Sequence, residues 1–159
     1  MTTMLLLLLT IPMAPLIIED FRHRQVHIVW LALFAGSVLG VATAFLGILG
    51  ALINLAVNIC LLTCMACGLL LWIRSNGSRL SKAGRISVQD CVGIGDMVFL
   101  VSIAPLFDIR KYLLFLLVSM IWSLVWWAAV RIIRRKNVTI PFVGTGGMIF
   151  CFSLIIYAL

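Results

Sequence analysis

Val92-Gly93-Ile94-Gly95-Asp96-Met97-Val98-Phe99-Leu100 sets an ionisable carboxylate directly behind two glycines, at the mouth of an apolar segment. In a hydrophobic chain such a charge is costly. Charges in or beside a membrane span usually face a protein interior or a wet cavity, and they mark function more often than packing. The glycines leave the backbone free to turn and let another chain approach closely. A helix beginning near Gly95 would direct free N–H groups and its dipole at Asp96 and favour the ionised form. A lone Gly-x-Gly-Asp is a weak signal, so the rest of the chain decides its meaning.

Of the 159 residues, 64% are hydrophobic and 11% charged, with a mean hydropathy of +1.24. A soluble domain of this size needs far more polar surface, so the composition indicates an integral membrane protein in the lipid bilayer. At about 20 residues per span, the chain has room for roughly six helices and no separate soluble domain. The fold class expected is all-α, a polytopic bundle of about six transmembrane helices forming a single domain over residues 1–159. The net charge of +7 is read as basic cytoplasmic loops, not as a nucleic-acid surface.

The spans are expected at about 3–18, 27–44, 50–73, 93–107, 112–134 and 142–159. Met1 to Thr10 lacks the basic start and small-residue cleavage site of a signal peptide, so it is read as part of a mature span. Pro12 and Pro15 should kink this first segment. The 46 residues from Ile28 to Ile73 carry no charge, which suits two helices joined near Gly47 and Gly50. Asn54 and Asn58, one turn apart, are read as interhelical hydrogen-bonding groups. Asn76-Gly77-Ser78 reads as a turn. Cys60, Cys64 and Cys67 share a helical face and are read as packing residues. Cys64 and Cys67 form a Cys-x-x-C inside an apolar run with no second ligand pair, so neither a metal nor a cofactor site is expected.

Loop charges give the orientation. The loops after spans one, three and five carry 2, 4 and 4 Lys/Arg, while those after spans two and four carry 0 and 2. The positive-inside rule places the first set in the cytoplasm. Asp20, ending span one, and Asp96, starting span four, then lie at one membrane depth although 76 residues apart. Two carboxylates facing each other across a small wet cavity do not both ionise readily. One keeps its proton while the other deprotonates a water between them, the acid/base arrangement for peptide hydrolysis. Such a dyad titrates as a unit. Glu19 and Asp90, without the glycine turn, are read as boundary or substrate-contact groups.

Three motifs give the chain a resemblance to the type IV prepilin peptidases, six-span aspartyl proteases of the bacterial inner membrane with archaeal counterparts. The first is Asp20-Phe21-Arg22-His23-Arg24-Gln25-Val26-His27, in which His27 stands where the family has Pro. The second is Gly93 to Asp96, and the third Ile140-Pro141-Phe142-Val143-Gly144. The resemblance implies cleavage of the short basic leader of pilin-like precursor proteins at the cytoplasmic membrane face. It implies Asp20 and Asp96 as the catalytic pair, with Gly93, Gly95, Pro141 and Phe142 as supporting motif residues. The paired Cys-x-x-C zinc ligands of the two-function members are missing, so a peptidase-only short form without methylation is expected. Because the loops are basic, Glu19, Asp90 and the dyad would have to attract a basic leader. The competing readings of these residues are a non-enzymatic bundle, such as a small proton- or cation-coupled transporter or an assembly partner, a degenerate, inactive family member, and a presenilin-like protease, which shares Gly-x-Gly-Asp. Oligomeric state and precursor identity are not legible.

Overall fold

A computed structural model of the chain describes residues 2–23, 27–80, 93–134 and 142–158. Among the described residues the regular elements are all helical. They are α1 (Thr2–His23), α2 (Ile28–Leu80), α3 (Ile94–Ile103), a 3-10 turn (Ala104–Leu106), α4 (Ile109–Arg134) and α5 (Phe142–Ala158).

Among the described residues two helices are long and apolar enough to cross a membrane, Ile28–Trp72 and Ile109–Ile132, and only 11% and 22% of their most apolar windows are buried. The core helix of a soluble protein would be mostly buried. Large apolar side chains such as Leu49, Leu71, Leu114 and Ile132 instead point outward. Ile94–Leu106 and Phe142–Leu154 are shorter apolar helices. At 1.5 Å per residue, the 10 residues of α3 extend about 15 Å, half the hydrocarbon core of a bilayer.

Helix α2 is helical on either side of Gly47, which has φ 73° and ψ 165°. An L-residue is strained in that region, so the kink falls at the glycine, between the two expected arms. The expected turn at Asn76-Gly77-Ser78 is absent, because α2 continues through it to Leu80. No proline interrupts that stretch, and a helical Gly costs only about 1 kcal/mol relative to Ala. Helix α1 runs through Pro12 and Pro15 and past Ile18 to His23, so Asp20 lies in its last turns.

Five phenylalanines, from four helices and the link that follows the 3-10 turn, join the helices around Phe150 of α5. Phe34 of α2 meets it edge-on at 5.6 Å, Phe107 at 6.0 Å and Phe115 of α4 at 6.3 Å. Phe34 also stacks on Phe99 of α3, and Phe107 on Phe115. Offset and edge contacts of this kind add to simple area burial.

The end of α3 is satisfied from outside. Pro105 has no N–H, so the last turn tightens and Ala104 N–H bonds Val101 instead of Leu100. The Tyr112 hydroxyl donates to the released Leu100 carbonyl at 2.9 Å. Buried Asn58, on α2, donates to the carbonyls of Ala104 and Phe107, both at 2.8 Å. Asn58 is thus an interhelical hydrogen-bonding residue. Cys60, Cys64 and Cys67 correct the sequence reading. They are exposed, because no described helix covers that face of α2.

Candidate active site

The site forms where α1 ends and α3 and α5 begin. The first residues of a helix have N–H groups without intrahelical partners, and the dipole there favours negative charge. In α5 two such amides, those of Val143 and Gly144, are adjacent in sequence. Asp20 is buried and its Oδ2 accepts the Gly144 N–H at 2.5 Å. Asp96 accepts the amides of Val143 and of Gly93, and the Asp20 carboxylate lies close enough to repel it electrostatically. Both aspartates therefore hold the N-terminus of one helix.

Each carboxylate reaches this place for a local reason. Asp20 sits at the C-terminal end of α1, where its own helix dipole disfavours negative charge. The N-terminus of α5 offsets that cost with a charge-assisted hydrogen bond. Asp96 is the third residue of α3, whose N-cap is Gly93. A side chain at this position can fold back to the N-cap amide, as in half of a capping box.

Gly93 does not use its conformational freedom. Its φ of −67° and ψ of 140° are open to any residue. What matters is the missing side chain, because a Cβ there would lie 3.1 Å from Asp96 Oδ2. Gly95 and Phe142 are half-buried in the first turns of α3 and α5. Pro141 and Asp90 lie outside the described residues.

Sequence reasoning missed the run Gly144-Thr145-Gly146-Gly147 as a packing device. A Cβ on Gly144 would meet Phe21 Cε2 at 2.7 Å and Asp20 Oδ2 at 3.2 Å, and one on Gly147 would strike Met13 and Ile17. A Cβ on Gly146 would approach Phe99 at 3.3 Å. The bare backbone of α5 thus lets α1 press against one side while α3 approaches another. The three glycines around one Thr were the signal for it, since small residues permit close helix approach.

Glu19 ties the end of α1 to the start of α2. Its Oε2 accepts the His27 N–H at 3.1 Å, just before α2 begins. Phe21 packs edge-on against Trp126 of α4 at 5.5 Å, closing the side of the site beside Asp20. Among the described residues no group of three or more His, Cys, Asp or Glu is placed to hold a metal. Comparison with protein-family models, with curated proteins and with solved structures finds no match to this chain.

Proposed function

We propose that the chain is a membrane-embedded aspartic endopeptidase that removes the basic leader from type IV pilin-like precursors. In this reading the chain crosses the inner membrane six times. The two arms of α2 count separately, α3 with its 3-10 turn serves as a short span, and the aspartates face the cytoplasm. The observation that carries the proposal is the meeting of Asp20 and Asp96 on adjacent amides of α5.

The chemistry follows from the pair. The ionised carboxylate takes a proton from a water held between the two, and the oxygen of that water attacks the scissile carbonyl carbon. The protonated carboxyl donates to the carbonyl oxygen. Collapse of the tetrahedral intermediate breaks the C–N bond, with a proton passing to the leaving nitrogen. The N-terminus of α5 favours the negative charge of the pair.

A second reading is favoured by the same hydrogen bonds. The aspartates would then act only as a clasp that ties α1 and α3 to α5. Incubating detergent-purified protein with leader-bearing pilin-like precursors separates the two. The peptidase yields a new precursor N-terminus just before the apolar helix, whereas a clasp alone leaves every precursor intact.

A further inference from the structure

Helix α5 presents four consecutive residues to its neighbours, Gly144-Thr145-Gly146-Gly147, and three have no side chain. Successive helical residues are about 100° apart, so the direction faced by one fixes the direction of the next. Thr145 is therefore the residue of this run whose side chain can set the roll of the first turn. It is fully buried and meets Ser123 of α4, also buried, at 2.6 Å between hydroxyl oxygens. The Thr145 hydroxyl donates to the Phe142 carbonyl at 3.2 Å. Either hydroxyl can be the donor in the Ser123–Thr145 bond.

We propose that Thr145 and Ser123 are positioning residues of the aspartate site: their hydroxyl pair locks the roll of α5 against α4 and so aims the Gly144 amide at Asp20. Gly144 precedes Thr145 and faces α1, where Asp20 Oδ2 takes its N–H. Phe150 anchors α5 further along the helix. In the first turn the hydroxyl pair is the polar tie to α4, and its loss lets the flanking glycines shift. Ser119 provides an internal control. It lies one turn before Ser123 on the same face of α4 and is fully buried. Its hydroxyl has no hydrogen-bond partner among the described residues.

The consequence for catalysis rests on the peptidase reading, but the positioning itself does not. Pairwise isotope labelling of Val carbonyl carbon and Gly nitrogen selects two amides, Gly93 and Gly144, because the chain has two Val-Gly pairs. The Gly144 amide bonds Asp20 and the Gly93 amide bonds Asp96. In wild-type protein in lipid nanodiscs, the Gly144 proton should resonate downfield, as a short bond to a carboxylate requires. Thr145→Val and Ser123→Ala should both move it upfield, whereas Thr145→Ser and Ser119→Ala should leave it in place. Should Thr145→Val not fold, Ser123→Ala removes the same bond from the other helix. Where precursor is cleaved, Thr145→Val should lower kcat by about tenfold or more with KM unchanged, and Thr145→Ser should restore it. A Gly144 resonance that ignores both Thr145→Val and Ser123→Ala overturns the proposal, as does a Thr145→Ser spectrum displaced as far as that of Thr145→Val. Wild-type protein that cleaves nothing while the resonance still moves removes the peptidase and keeps the positioning role.

Discussion

Asp20 and Gly144 are 124 residues apart in sequence, yet the carboxylate of one accepts the backbone amide of the other at 2.5 Å. The contact is possible because residue 144 has no side chain. The same absence lets Phe21 lie against α5, so the acid and its neighbouring aromatic ring are seated together.

Gly144→Ala should therefore damage the site more than Gly147→Ala. At Gly144 the new methyl meets the rigid ring of Phe21 and the Asp20 carboxylate. At Gly147 it first meets the flexible end of Met13, though Ile17 must also yield. Overpacking of this type costs about 1–3 kcal/mol. Precursor cleavage should fall strongly in Gly144→Ala, and adding Phe21→Ala should recover part of it. Equal losses from the two alanines would show that α1 does not seat as described.

Asn58→Ala should destabilise the bundle by about 1–3 kcal/mol, since two buried carbonyls lose their donor. Asn58→Asp should be worse, because it sets an acceptor against both carbonyls. Unfolding in mixed micelles gives the ranking wild type, Ala, Asp. An unaffected Asp variant would contradict the clamp.

At Gly47, alanine and asparagine should both be costly, at about 1–3 kcal/mol each. Asparagine often relieves a left-handed residue, but ψ 165° lies outside the region it tolerates. Unfolding midpoints of the two variants check this. A Gly47→Asn protein as stable as wild type would mean that the kink has another geometry.

Single-cysteine proteins retaining Cys60, Cys64 or Cys67 test the membrane reading. These thiols are exposed on α2, with Cys64 and Cys67 flanked by Met65, Leu69 and Leu70. In liposomes lipid should shield them from a charged maleimide, and dissolving the bilayer in SDS should release full labelling. Rapid labelling in intact liposomes would place that arm in water.

Much of this arrangement was legible in the chain. Apolar runs and their breaks placed the helices, and Gly47 marked the joint in α2, because local backbone physics settles both. Asp20 and Asp96 stood out because a carboxylate beside an apolar helix needs a reason. The contacts of the site were harder to read. That both acids hold α5 depends on how three helices pack, and no local pattern encodes it. Thr145 and Ser123 looked like ordinary small residues, 22 positions apart and on different helices. Glycine reasoning misled at Gly93, where the missing Cβ matters and φ does not. The Asn76-Gly77 turn failed because one glycine cannot stop a helix that has no better partner for its amides.

The most direct measurement compares wild-type protein with Asp20→Asn and Asp96→Asn on one leader-bearing precursor, each purified and reconstituted in lipid. An Asn side-chain oxygen still accepts an amide N–H, so both variants should keep their helical content and thermal stability near that of wild type. Neither can exchange a proton with water as a carboxylate does, so each should lose cleavage entirely while wild type releases the leader. Leader release by both Asn variants at the wild-type rate would contradict the dyad and leave the two aspartates as a structural clasp.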